Sequence, residues 1–132
     1  MSVVKLDIDR KKIDLQRINI VHQLITYWRD MKFRSARVYK TKNGWHVHLE
    51  YEMKVSDRDV ILMQSLMDSD FKRETLNYIR VGSRKYGDDW NVLFAKKSEY
   101  KIGKKMKVVS RERYDRVLSE KLESMLRKKM YG

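Results

Sequence analysis

Four side chains capable of metal and phosphate chemistry stand in two alternating pairs: Asp7 and Asp9 in Leu6-Asp7-Ile8-Asp9, and His46 and His48 in Trp45-His46-Val47-His48. Residues two positions apart on an extended chain share one face. Carboxylate oxygens beside imidazole nitrogens form a donor set for a divalent cation such as Mg²⁺ or Mn²⁺. An ion held there would clamp phosphate oxygens and stabilise the charge that develops in phosphoryl transfer. Asp7, Asp9 and His48 are the expected metal ligands. The same residues also suit a plainer role, as polar side chains on the wet face of a half-exposed sheet.

The elements that must position these pairs follow from hydrophobic spacing. Val4, Leu6 and Ile8 alternate with Lys5, Asp7 and Asp9, which predicts a half-buried strand over Val3–Asp9. From about Ile13 to Met31 the period becomes helical, with Ile18, Val21, Leu24, Ile25 and Trp28 on one stripe. Ser35–Thr41 and Trp45–Met53 read as two strands joined by Lys42-Asn43-Gly44, where Asn-Gly supplies the positive φ of a tight hairpin. Ser56 with Asp59 predicts a capping box and a helix carrying Val60, Met63 and Met67. Ser69 is expected to cap a second helix carrying Phe71, Leu76 and Ile79, and Asn91–Ala95 is expected to be the last core strand. Ser110 is expected to cap a terminal helix with Tyr114, Val117, Leu118, Leu122, Met125 and Leu126 on its apolar face.

This order predicts an α+β fold: a ferredoxin-like, RNA-recognition-like β-α-β-β-α-β antiparallel sheet with helices on one face and an appended C-terminal helix. Residues 1–97 would form the core, and 98–132 a basic loop and helix of the same domain. The first and third strands would lie side by side at the sheet centre, bringing Asp7 and Asp9 beside His46, His48 and Glu50 on the open face. Arg37 and Tyr39 alternate onto that face too, where they would contact a phosphate and stack on a base. His22, in the first helix, reads as structural.

Charge points to the partner. The chain has 132 residues, 31 Lys+Arg against 18 Asp+Glu and a net charge of +13. This balance is too basic for an ordinary small-molecule enzyme and too mixed for a disordered tail. Residues 95–132 carry 13 basic and 5 acidic side chains, a net of +8. Their centre is Lys96, Lys97, Lys101, Lys104, Lys105, Lys107, Arg111 and Arg113, interleaved with Tyr100 and Tyr114. Such a run suits phosphate neutralisation with stacking on bases, and predicts a nucleic-acid partner, single-stranded DNA ahead of RNA. The absence of Cys excludes disulfides, thiolate zinc sites and a Cys nucleophile. Neither a membrane-length apolar run nor a signal-peptide core is present, which predicts a cytoplasmic protein without a membrane partner. The apolar face of the terminal helix is expected in the core, with a homodimer through it as the other use.

Leu6-Asp7-Ile8-Asp9, a helix, and then Thr41-Lys42-Asn43-Gly44-Trp45-His46-Val47-His48 resemble the archaeo-eukaryotic primase superfamily. That family has an RNA-recognition-like core, an Asp-x-Asp strand and a strand led in by a Ser-x-x-Gly-x-His motif; Thr41 stands here in place of its Ser. The resemblance spans roughly residues 3–97. It implies that Asp7 and Asp9 hold catalytic metals and that His46 contacts the incoming nucleotide's phosphates, or that the domain has lost catalysis and kept binding. The stretch Gly87-Asp88-Asp89, Asn91-Val92-Leu93-Phe94 and Lys96 resembles small proteins of archaea and their viruses and plasmids, which would place the chain in a host cell's cytoplasm. Trp45-His46-Val47-His48-Leu49 also resembles the His-hydrophobic-His strand of rolling-circle replication initiators, which implies a paired-His metal site and a Tyr nucleophile. Tyr100, four residues before Lys104, is its candidate. A non-catalytic basic binding module is the third reading.

Overall fold

The computed structural model describes residues 1–29, 31–83, 87–91, 96–99, 107–110 and 112–130, of which 88, 89, 96–99 and 107–110 are described by backbone. Strand β1 (Ser2–Ile8) buries Val4, Leu6 and Ile8 and turns Lys5 and Asp7 outward, as its alternation requires. Strands β2 (Phe33–Lys40) and β3 (Trp45–Tyr51) form the predicted hairpin, and β1 lies antiparallel to β3, Asp7 opposite His46 and Lys5 opposite His48. Strands β4 (Lys96–Glu99) and β5 (Lys107–Ser110) pair only with each other, whereas β6 (Arg113–Tyr114) adds to the outer edge of β2.

Helix α1 (Leu15–Trp28) begins at Asp14, whose side chain accepts from the Arg17 N–H. Helix α2 (Asp57–Leu66) begins at Ser56 as expected, the Ser hydroxyl accepting from the Asp59 N–H. Two caps differ from expectation. Helix α3 (Phe71–Ser83) is capped by Asp70, which accepts from the Arg73 N–H, because Ser69 is drawn into the interior. Helix α4 (Arg116–Arg127) is capped by Asp115, whose carboxylate accepts from the Leu118 N–H, while Ser110 ends β5 and Tyr114 lies in β6.

The four-stranded sheet has the order β1-β3-β2-β6. The fold is therefore α+β with an antiparallel sheet, and β1 and β3 are neighbours, but among the described residues β1 is an edge strand rather than a central one. The expected strand Asn91–Ala95 lies, apart from Asn91 itself, outside the described residues. The outer edge of β1 is satisfied by side chains and one backbone N–H instead. Its Lys5 N–H donates to Gln64 Oε1 at 2.9 Å and its Asp7 N–H to Ser69 Oγ at 3.0 Å. The Lys5 carbonyl accepts from Arg73 Nη1 at 2.9 Å and the Asp7 carbonyl from the Asp70 N–H at 2.6 Å. Asn91, which accepts from Arg73 and donates to Gln64, closes this set. An edge covered in this way presents no free ladder to another strand.

That duty inverts α3. Its Arg73, Glu74 and Asn77 are buried, and Phe71, Leu76 and Ile79, the predicted core face, are 73%, 51% and 59% exposed. Helix α1 departs similarly: Ile18 is buried, but so are Asn19, His22 and Gln23, while Leu24 and Trp28 are exposed. The polar trio receives the end of α4, where four carbonyls lack helical partners. Gln23 Nε2 donates to the Lys128 carbonyl at 2.7 Å, and His22 Nε2 to that of Leu126 at 3.0 Å. With its Nε2 donating, His22 accepts at Nδ1 from the Tyr51 hydroxyl, 2.7 Å away. Leu122 and Leu126 of α4 fill the core beside Val38 and Ile18, so the face expected to serve either the core or a dimer is used within the chain.

Burial holds the His22 pKa near 4, below its ordinary 6.5, against the pull of the Leu126 carbonyl. Folding stability is therefore complete above pH 6.5 and falls as the pH drops toward 4, by roughly 3 kcal/mol from this residue. Urea midpoints measured between these limits should fall, and the fall should be smaller in His22→Gln.

Gly44 is required by space rather than by φ, since it is not among the residues with positive φ. A Cβ there would stand 1.9 Å from the Ile8 carbonyl oxygen and 3.1 Å from the Arg10 nitrogen, both backbone atoms that cannot swing aside. Gly44→Ala should cost about 2 kcal/mol or more by overpacking, seen as a lowered melting temperature.

Candidate nucleic-acid interface

The helices pack on the face of the sheet that carries Val4, Leu6, Val38, Val47 and Leu49. The opposite face is built in rungs set by the strand register. One rung runs Asp7, His46, Tyr39, Tyr114; the next runs Lys5, His48, Arg37; a third holds Val3, Glu50, Ser35. Alternation along three strands placed these side chains together, as the sequence pattern requires.

His46 is the centre of the first rung and only 4% exposed. Its Nε2 lies 3.5 Å from Asp7 Oδ1 and its Nδ1 3.1 Å from Glu112 Oε1. A neutral imidazole can donate from one nitrogen only, so two flanking carboxylates favour the doubly protonated ring. Burial opposes the charge, yet the hydrogen bonds that the ring donates to Asp7 and Glu112, with their negative charge, outweigh it, and the His46 pKa is raised. The ring thus sits between two carboxylates that favour its protonated form.

His48 has the opposite surroundings. Burial, aided by the positive charges of Lys5, Arg37 and His46 and opposed by Glu112, lowers its pKa to about 4, so the ring is neutral at pH 7. Its face is available to aromatic contact: Tyr39 lies edge-on, with centroids 5.4 Å apart, and Tyr114 lies edge-on to Tyr39 at 5.5 Å. Tyr114 is half-exposed, Arg113 beside it is exposed, and Arg37 pairs with Glu50 at 3.1 Å from an exposed position.

The donor set expected for Mg²⁺ or Mn²⁺ does not assemble. Asp9 is exposed beyond the end of β1, His48 stands in the rung of Lys5 and Arg37, and Asp7 faces the His46 ring. Among the described residues no group of three His, Cys, Asp or Glu side chains is arranged to hold an ion, since Asp7 and Glu112 take opposite sides of the His46 ring. Asp7 and His46 are brought together; Asp9 and His48 are not brought to them as ligands.

Of the predicted basic residues, Arg37 and Arg113 belong to this sheet. Lys96, Lys97 and Lys107 lie on the β4–β5 ribbon, where Lys107 is in register with Glu99. Lys101, Lys104, Lys105, Arg111 and the alternative nucleophile Tyr100 lie outside the described residues. Glu112 was missed by sequence reasoning, and nothing in the sequence marks a contact made across 66 positions. Lys5 was legible, since alternation puts it on the face of Asp7.

No family model, curated protein or solved structure matches the chain. Among the described residues no helix is long and apolar enough to cross a membrane.

Proposed function

We propose that this chain binds single-stranded nucleic acid, DNA in the first instance, across the open sheet face, as a binding module of a replication-type system. The observation that carries this reading is the aromatic tier of His48, Tyr39 and Tyr114 on the sheet face that the described helices leave uncovered, with Arg37 on the same face and Arg113 in the adjoining edge strand β6, in a chain of charge +13. Base stacking on such rings contributes about 1–3 kcal/mol per base without sequence preference, and the guanidinium groups neutralise phosphate. A proton on His46, which its two carboxylate partners favour, would add to this by offsetting Asp7 and Glu112, which otherwise repel a polyanion. The β4–β5 ribbon, with Lys96, Lys97 and Lys107, is assigned to the same backbone-tracking role.

The resemblance to the primase superfamily enters here as the proposed origin of the frame. On that reading β1, β2 and β3 are the ferredoxin-like core, and the Asp-x-Asp strand has kept its place while its carboxylate has taken His46 as a partner. The module would work in the cytoplasm, on the nucleic acid of a host cell or of an element replicating in it.

The test is fluorescence anisotropy of a labelled single-stranded oligonucleotide, followed by a denaturing gel of the same mixture incubated with nucleotides and Mn²⁺. Binding weakened by Tyr39→Ala and by Arg37→Ala, with a strand of unchanged length, is the expected result. Extension of the strand would replace this reading with nucleotidyl transfer, and cleavage with a covalent protein adduct would replace it with a nickase. Absence of binding would remove it altogether.

A further inference from the structure

The inversion of α3 leaves an outward surface rich in exposed apolar side chains. On α2, Leu62 and Leu66 are 57% and 45% exposed; on α3, Phe71, Leu76, Tyr78 and Ile79 are each more than half exposed. With side chains of this size, the apolar area offered is on the order of 600 Å², the upper end of what a monomer displays. A cleft of about 300 Å³ between the two helices, walled by Ile61, Phe71, Thr75 and Tyr78, opens on the same side.

Charge selects the occupant. Residues 56–83 carry 4 basic and 5 acidic side chains, a net of −1, so the remainder of the chain carries +14. Two copies meeting by any strongly basic surface would repel. The α2–α3 face carries no such excess of positive charge, so like copies can meet there without that repulsion. It also holds both projecting side chains (Leu62, Ile79) and a cleft to receive them. A two-fold interface, in which one patch must be complementary to itself, requires both.

We infer that the chain forms a two-fold homodimer through the outward face of α2 and α3, with apolar side chains of each copy seated in the other's interhelical cleft. An interface of standard size takes about 800 Å² from each partner, which this patch approaches with its polar rim included. Because α2 covers the packed face of the sheet and α3 its β1 edge, the dimer leaves both open sheet faces accessible. It follows from the exposed apolar surface and local charge alone, and stands whether or not those faces bind nucleic acid.

Sedimentation velocity of the full chain, from low micromolar to several hundred micromolar, tests it. The expected species has twice the 16.1 kDa mass of the chain. Leu62→Glu and Ile79→Glu, both at solvent-facing positions, should each raise the dissociation constant about tenfold or more with far-ultraviolet circular dichroism unchanged. A monomer at every concentration overturns the inference, as does a dimer that both variants leave intact. A dimer dissolved instead by Val117→Glu, on the exposed side of α4, places the interface elsewhere and overturns it too.

Discussion

Glu74→Gln is expected to destabilise the protein by about 3–5 kcal/mol, the cost of leaving a buried charge without its counter-charge. Glu74 is 3% exposed and accepts four hydrogen bonds: from Gln64 Nε2 and Asn77 Nδ2 at Oε1, and from Ser69 Oγ and Arg73 Nη1 at Oε2. Three of these donors also reach, directly or through their other ends, the free edge of β1. Burial lowers the Arg73 pKa, and the charges of Glu74 and Asp7 oppose that effect, so the carboxylate offsets part of the cost of holding the guanidinium in the interior. Against a total stability of about 5–15 kcal/mol for a typical domain, the loss is large. Urea denaturation should show a midpoint far below that of the parent with the slope preserved; a midpoint within error of the parent would mean that the network is not what seals the edge of β1.

The second large effect concerns salt. Each phosphate neutralised on a single strand contributes about −0.7 to the slope of log affinity against log salt. With roughly five such contacts, shared between the sheet face and the ribbon, affinity should fall about a hundredfold between 50 and 200 mM salt. Anisotropy titrations over that range measure it. Removal of one guanidinium, in Arg37→Ala, should reduce the slope by about 0.7, whereas Tyr39→Ala should weaken binding with the slope unchanged, because stacking releases no counterion. A slope near zero would contradict phosphate recognition.

The two kinds of residue in that prediction differ in how readable they were. Strand alternation is a strict period, so Val4, Leu6 and Ile8 fixed the orientation of Lys5 and Asp7, and the Trp45–Tyr51 pattern did the same for His46 and His48. Pairing of β1 with β3 followed, and with it the contact between Asp7 and His46. Helical stripes were less informative, because they assume that the apolar side faces inward. In α3 the inward side is Arg73, Glu74 and Asn77, since the N–H and C=O groups of the β1 edge, which no described strand pairs, are met mostly by polar side chains. In α1 the buried Asn19, His22 and Gln23 likewise answer the carbonyls at the end of α4. Both demands arise from chain segments distant in sequence, so neither leaves a periodic signal. The same holds for Glu112, whose partner His46 lies 66 positions away in β3; without Glu112, the His46 imidazole read as a contact for a nucleotide's phosphates rather than as a ring held between two carboxylates.

The central claim is that the open sheet face is where the strand lies, and photochemical cross-linking tests it most directly. Single-stranded DNA carrying 5-bromouracil would be irradiated in complex with the full chain and the adducted peptides identified by mass spectrometry. Adducts on Tyr39 and Tyr114 are the predicted result, since their rings stand on that face where bases would stack. Adducts confined to the α1–α4 side of the molecule, with Tyr39 and Tyr114 unmodified, would contradict it.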